Sequence, residues 1–437
     1  MMIRELGSVS RTRWLAAARA IDAAGRGVAL LDGEGWGGSF LAMEPVDEQR
    51  VPLGPGALEE VARVVDRAAQ PSGTVGWCGL RPAPRVIGYV AYEAARAIER
   101  PRWTRVEDRP APIGAAAVLR RFAAVARRDE RSGVVAIEGD DAGAIGRLRA
   151  AILASPSSAA PPPVLSLDPV DEDDAHLARI ELALSLIAAG DLYQVCLART
   201  FAGRSRATAT ELLSAMLTRA TARFGAAIDC GDHALACSSP ELFLDVSGRA
   251  VRTSPIKGTR PRGEGAAEDE RLARELAHDP KEHAELTMVV DLERNDLGRI
   301  AEIGSVRVPA PARIETSRTV HHRVQDVVAR VAPGVGAGAV LAATFPSGSV
   351  TGAPKVRAME VIAELERDRR GIYCGAIVAI SSDRSMRAAM AIRTLIADRA
   401  AEVVVYPAGG GIVEGSVPAR EVAETRWKAR QVVAPSP

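Results

Sequence analysis

Four residues of this 437-residue chain raise a chemical question first. Lys plus Arg total 56, and only Lys257, Lys281, Lys355 and Lys428 are lysine, which leaves 52 arginines. Where any cation would serve, the sequence uses arginine. A guanidinium stays charged in any protein, whereas a lysine amine can shed its proton and act as nucleophile or base. Lys257, in "SPIKGTRPRG" (254–263), is therefore a candidate for chemistry closed to arginine. The plainer alternative is compositional drift, since all four lysines follow residue 250.

Two segments with helical spacing carry paired carboxylates. "HDPKEHAELTMVVDLERNDLGRI" (278–300) opens with Asp279 as N-cap and Pro280 at the first helical position. Glu282 stands where a capping-box partner belongs, and Glu285 lies one turn further along the same face. "PAREVAETRWKAR" (418–430) repeats the spacing with Glu421 and Glu424. Two readings stand for these pairs. They are solvated helix faces, the commoner fate of glutamates, or each helix presents one carboxylate to a shared Mg²⁺. Mg²⁺ favours few carboxylates, with water and an anionic substrate completing its octahedron.

Glycine-rich segments offer anion sites. "PSGSVTGAPKVRAME" (346–360) leads into a helix with Pro354 in its first turn, and helix N-termini attract carboxylate or phosphate. "YPAGGGIVEG" (406–415) follows a strand, and the amides of Gly409, Gly410 and Gly411 can approach an anion closely. Neither is a Walker A or a GxGxxG motif. With Tyr373 in "GIYCGA" and Arg393 in the strand "MAIRTLI", they suggest a site for a small anion bearing more than one carboxylate.

The elements that must position these residues follow from periodicity. Helical spacing is strong at 175–189, 210–222, 280–298, 353–366 and 418–431. Strand-like runs include "GVALLDG", "RVIGYVAYEAARAI", "AAVLRRFAAVAR", "GVVAIEGDD", "ELFLDVSG", "GAIVAISSD", "AAMAIRTLIAD" and "EVVVYPAGGG". Strands and helices do not alternate regularly, which argues against a doubly wound sheet and for an α+β fold with extensive antiparallel sheet. The Pro-, Ser- and Asp-rich stretch 154–174 reads as a linker between an N-terminal region (1–153) and a catalytic domain (175–437).

Composition excludes several classes. The net charge of +1 gives no reason to expect nucleic acid or an anionic membrane, and aromatics at 4% leave little material for base-stacking platforms. No apolar run is long enough for a transmembrane helix, and the first residues lack an apolar signal core. Five scattered cysteines without a CxxC read as free thiols in a reducing cytoplasm.

The order of motifs "GDLYQVCLARTF", "SSPELFL", "SPIKGTRPRG", "EHAELTMVVDLERNDLGR", "VHHRV", "FPSGSVTGAPKVRAMEVI", "GIYCGAI", "IRTL", "AGGGIV" and "ETRWKAR" closely resembles the chorismate-utilising enzymes. Anthranilate synthase component I, aminodeoxychorismate synthase component I, isochorismate synthase and salicylate synthase belong to that family. The resemblance spans about 180–430 and continues more loosely into "GSFLAMEP" and "IGYVAYEAAR". It implies a large antiparallel β-sandwich core flanked by helices. It also implies that Glu285 and Glu424 hold Mg²⁺ against the ring carboxylate of chorismate. Tyr373, Arg393 and Gly409 to Gly411 then take the other carboxylate, Gly258 and Thr259 form a substrate-contacting turn, and Lys428 lies near the carboxylates. Glu241 in "SPELF" matches the acid that protonates the departing 4-hydroxyl, and His322 the histidine beside the reacting ring. Such an acid must stay protonated near neutral pH, so Glu241 should be buried with its pKa raised.

Two positions discriminate within the family. Isochorismate and salicylate synthases have a lysine base for water where this chain has Gln194, so the resemblance points to ammonia as nucleophile. Anthranilate synthases look like P-x-A-G-T where this chain reads "PIKGT", which resembles the aminodeoxychorismate synthase branch, on the route to p-aminobenzoate and folate. There the lysine attacks C2 as the 4-hydroxyl leaves, and ammonia then adds at C4 and displaces it. No G-x-C-x-G segment is present, which implies a separate glutamine amidotransferase subunit, or free ammonia in solution. The rivals are anthranilate synthase component I, with Lys257 incidental, and a catalytically inactive chorismate-binding subunit. Against the latter, Glu241, Lys257, Glu285, His322, Arg393 and Glu424 are all intact. The family's tryptophan pocket uses a Leu-Leu-Glu-Ser-like stretch, and "LLDGEG" (30–35) departs from it.

Overall fold

The computed structural model describes residues 1–69, 76, 78, 80–97, 114–158 and 160–430. Residue 159 of the expected linker and 431–437 of the expected catalytic domain therefore lie outside the described residues. Strand runs with apolar residues on both faces need cover on both faces, and two stacked sheets with helices outside supply it.

Among the described residues the larger sheet has twelve strands. Its path runs from Met2–Ser8 through Val134–Gly139, Ala124–Arg128, Ser39–Ala42, Ala29–Asp32, Phe224–Asp229, His233–Ser239, Thr394–Asp398, Val403–Val413 and Gln194–Arg204 to Gly352–Ala353, and the twelfth strand, Asp168–Pro169, pairs with Gln194–Arg204 off this path. The second sheet has eight, from Val327–Arg330 through Ala250–Ser254, Leu242–Ser247, Met386–Met390, Ala376–Ser381, Pro84–Val90 and Ala115–Phe122 to Pro45–Pro52. A small third sheet joins Ile256–Pro261, Val320–Val324 and Arg313–Thr316. The pairings are antiparallel.

Side chains alternate between layers, as pleating requires. Leu30 joins Trp14, Ile145 and Leu212 of the helices outside the larger sheet, while its neighbours Ala29 and Leu31 meet Ile87, Tyr89 and Ile377 of the second sheet. On the far side, helices Ala57–Ala68, Pro280–Gly298, Ala337–Thr344 and Lys355–Leu365 cover Val90, Leu244 and Val378. The fold is thus the expected α+β sandwich with helices on both outer faces.

Several expectations are corrected in detail. The stretch 154–174 is more than a surface connection, since Leu165 and Leu167 are buried in the core and Asp168–Pro169 pairs with Gln194–Arg204, and it does not divide the sheets: strands from both sides of it pair directly, Ala29–Asp32 on Phe224–Asp229 and Pro84–Val90 on Ala376–Ser381. The run "AAMAIRTLIAD" is two strands, Met386–Met390 and Thr394–Asp398, broken where Arg393 adopts φ +52°. The three glycines lie inside the strand Val403–Val413, not in a turn after it. Helix 280–298 begins and ends as the spacing predicts. Helix Ala266–His278 was not legible, because it is polar around most of its surface and buries only Leu276.

Candidate active site

A cavity of about 480 Å³ opens between the glycine strand (Val403–Val413), the lysine strand (Ile256–Pro261) and the two carboxylate helices (Pro280–Gly298 and Pro418–Arg430). Its wall contains Lys257, Gly258, Thr259, Glu241, His322, Tyr373, Arg393, Gly409, Gly410, Gly411, Lys428, Glu285 and Glu424. They come from separate segments of the chain between Glu241 and Lys428, so only the tertiary fold brings them together.

The glycine strand is held by its partner strand. Cys196, Leu197 and Ala198 face Gly411, Gly410 and Gly409 in register. Each glycine is required by a different neighbour. A Cβ at Gly409 would stand 2.3 Å from the Leu197 carbonyl oxygen, and one at Gly410 would meet Glu421 Oε2 at 3.3 Å and Glu424 Oε1 at 3.4 Å. A Cβ at Gly411 would stand 2.9 Å from Gln194 Nε2 and 3.3 Å from Lys257 Nζ. Gly258 adopts φ +85°, and a Cβ there would lie 3.0 Å from Glu282 Oε2. Glycine removes the side chains that would otherwise fill the cavity floor.

Four carboxylates overhang that floor, Glu282 and Glu285 from one helix, Glu421 and Glu424 from the other. The Asp279 side chain caps Lys281 and Glu282 as expected, but Glu282 does not complete a capping box; Arg260 Nη1 donates to its Oε1 at 3.2 Å instead. Burial raises the Glu285 pKa, which Lys257 and Lys281 partly offset and the charges of Glu282 and Glu421 reinforce. Burial also raises that of Glu421. Lysines already answer these charges: Lys281 Nζ lies 3.7 Å from Glu285 Oε1 and Lys428 Nζ 2.6 Å from Glu424 Oε1. Lys428 also donates to the Gly409 carbonyl at 2.6 Å.

Among the described residues no three His, Cys, Asp or Glu side chains form a ready-made metal cage. The donor set is nonetheless all oxygen, with more carboxylate charge than the lysines neutralise. That suits a hard cation which keeps waters and takes one or two carboxylates.

The opposite wall carries the groups for proton chemistry. Glu241 is 4% exposed, and burial pushes its carboxyl up to about 7, against the pull of Ser349 and Lys257. His322 is buried, and desolvation with the Arg393 charge beside it pushes its imidazole down to about 3. Its Nδ1 lies 3.0 Å from Thr259 Oγ1. Burial raises the Tyr373 phenol well above its ordinary value, which keeps it a neutral donor. Arg370, stacked over Tyr92 and Tyr373, fixes that ring from behind by donating to the Val350 and Cys196 carbonyls and to Glu366. Arg393 lines the cavity, and its guanidinium makes no ion pair or hydrogen bond among the described residues.

Two expectations are adjusted. Gln194 is fully buried and stands behind Gly411, next to Lys257, not on the wall itself. The N-terminus of helix Lys355–Leu365 does not face the cavity; from the segment 346–360 the wall takes Ser349 and Val350, while Lys355 turns to Asp296. Sequence reasoning missed Arg370, although Glu366 four residues earlier offers a charge-pair spacing, and did not single out Ser349 within the segment 346–360. The departure at "LLDGEG" is structural: Asp32 is tied to Arg11 and Ser39, and Trp36 donates to the Gly225 carbonyl between the sheets.

These features define a member of the chorismate binding enzyme family, which matches residues 46–434, and the chain belongs to it as a chorismate-utilising enzyme. It is similar to the anthranilate synthase component 1 of Streptomyces coelicolor, 38% identical over 379 residues, covering 80% of this chain and 72% of that protein. It is also similar to the aminodeoxychorismate synthase component 1 of Klebsiella aerogenes, 42% identical over 244 residues, covering 56% of this chain and 54% of that one. The crystal structure of anthranilate synthase component I from Streptococcus pneumoniae TIGR4 matches with a TM-score of 0.78 at 28% identity, covering 90% of this chain and 91% of that one. Among the described residues no helix is long and apolar enough to cross a membrane.

Proposed function

We propose that this chain is a chorismate-aminating enzyme, an aminodeoxychorismate synthase component I that converts chorismate and ammonia to 4-amino-4-deoxychorismate. The observation that carries the reading is the position of Lys257 on the cavity wall, beside Gly411 and Gln194 and facing the carboxyls of Glu241 and Glu285. Tyr373, Arg393 and the glycine strand bind one substrate carboxylate. Glu285 and Glu424 would hold Mg²⁺, which supplies charge to anchor the ring carboxylate. With the ring so placed, the Lys257 amine bonds to C2, the ring double bonds shift, and the C4–O bond breaks. Glu241 gives its proton to the leaving oxygen, which departs as water, and neutral His322 orients the ring edge. Ammonia bonds to C4, the double bonds shift back, and Lys257 is released.

The designation "component 1" of the relatives supports a second component, and a glutamine amidotransferase would supply ammonia without free base in solution. The product fits a role in p-aminobenzoate and folate synthesis in the cytoplasm. A second reading, anthranilate synthase component I, is favoured by the S. coelicolor and S. pneumoniae proteins. Incubation with chorismate, Mg²⁺ and ammonium at alkaline pH, with products identified by mass, separates them. Aminodeoxychorismate supports the proposal; anthranilate with pyruvate overturns it.

A further inference from the structure

Behind Glu241 lies a second buried carboxyl that the chemistry above does not use. Glu293 is fully buried on the inner face of the first carboxylate helix, and its Oε2 has no partner among the described residues. Its Oε1 accepts from the Ser347 hydroxyl at 2.7 Å and from the Gly348 amide at 3.0 Å. Ser347 Oγ lies 3.0 Å from Ser349 Oγ, and it accepts from the Ser349 amide at 3.2 Å. The Ser349 hydroxyl in turn stands close enough to the Glu241 carboxyl to pull its pKa down, and both line the cavity. The hydroxyls of Ser347 and Ser349 thus lie between the two buried acids.

We propose that Glu293 is a positioning residue for proton delivery, sharing one proton with Glu241 through Ser347 and Ser349. The donor and acceptor count allows it. A protonated Glu241 donates to Ser349, Ser349 to Ser347, and Ser347 to an ionised Glu293. The same chain runs in reverse when the proton sits on Glu293. Two buried carboxyls, with the Asp296 charge beside one of them, cannot all ionise cheaply, so a proton stays within the pair at neutral pH. In agreement, burial pushes both carboxyls up to about 7. The other charges facing the pair fix its bias. Asp296 and its ion partner Lys355 sit beside Glu293, while Lys257 and Arg393 face Glu241. The serine run that looked like an anion-binding helix entry therefore serves as a conduit, and the helix after it contributes Lys355 as the far counter-charge.

This inference rests on Glu241 being the acid of the proposed reaction. When Glu241 protonates the leaving 4-oxygen, the oxygen keeps the bonding pair and departs as water. Ammonia that has added at C4 then loses a proton, and that proton restores the pair. No other reactant is needed.

The test combines infrared titration with kinetics on the full chain. In wild type the protonated-carboxyl stretch titrates near neutral pH, and Glu241→Gln shifts the part that remains on Glu293. Glu293→Gln removes the like charge, so the alkaline limb of kcat/KM moves down by about one pH unit. The KM for chorismate stays the same. Ser347→Ala, which leaves both acids in place, abolishes the coupling of the two carboxyl signals and lowers kcat; should Glu293→Gln fail to fold, this variant decides. Unchanged pH profiles together with carboxyl signals that never respond to one another would overturn the proposal. The infrared titration needs no turnover, so it still decides the shared proton if the wild-type enzyme makes no aminated product and the functional reading falls.

Discussion

Gln194 and Lys257 stand on either side of one missing side chain. A methyl group at Gly411 would touch the Gln194 amide nitrogen at 2.9 Å and the Lys257 amine at 3.3 Å. The strand therefore sets the place of the amine through a glycine and a buried amide. Gly411→Ala should meet side-chain ends rather than backbone, so it folds, but it displaces Lys257. Misplacement by about 1 Å costs roughly a hundredfold in rate. Gly409→Ala instead drives a methyl to 2.3 Å from the Leu197 carbonyl and should destabilise the chain by about 1–3 kcal/mol. Thermal melts and steady-state kinetics on the two variants, two residues apart, should give opposite patterns.

Lys257→Ala should fold normally, since the side chain is only partly buried, and should lose amination at C4. Lys257→Arg should not restore it, because a guanidinium cannot bond to carbon and leave again. Product analysis with ammonium as nucleophile reads this directly; full activity in either variant would remove the covalent role.

Glu241 makes a stability prediction whose sign follows from its environment. Its carboxyl is raised from 4.5 to about 7 by burial. Below about pH 4.5 both folded and unfolded states hold the proton. As pH rises toward about 7 the unfolded chain ionises first, so folded stability falls, by on the order of 3 kcal/mol in total. Glu241→Gln should flatten that fall in urea melts at pH 5 and pH 8, and at fixed free ammonia it should cut kcat by about 10²–10⁴-fold.

His322 should behave in the opposite way. Its imidazole is pushed down to about 3, so it is neutral throughout the working range. Nitrogen NMR should show no protonation of this ring between pH 5 and 8, and no limb of the rate profile should disappear in His322→Gln.

Chelation should abolish turnover and Mg²⁺ alone should restore it. Calorimetric Mg²⁺ titrations should weaken in Glu285→Gln and in Glu424→Gln. Equal Mg²⁺ affinity in wild type and both variants would move the metal elsewhere.

How far the sequence could be read depends on the range of the forces involved. Helix 280–298 was legible because Asp279 and Pro280 mark its start locally. The glycine strand's role was not, because nothing within "AGGGIV" says that it pairs with Gln194–Arg204 or lies under Glu421 and Glu424. Arg393 looked like a strand residue, yet its positive φ turns the chain between two strands and leaves the guanidinium in the cavity. Glu293 was invisible for the same reason: its partners lie 54 and 55 residues away, at Ser347 and Gly348.

The lysines carry one last consequence. Lys257, Lys281 and Lys428 line the cavity, and the fourth lysine of the sequence, Lys355, is tied to Asp296 behind Glu293, so every lysine that faces the pocket or stands exposed belongs to this one site. Elsewhere its positive charge is guanidinium, which acylating and aldehyde reagents ignore. A reagent that decorates the whole exterior of most proteins becomes here an affinity label, and a bound substrate should shield it.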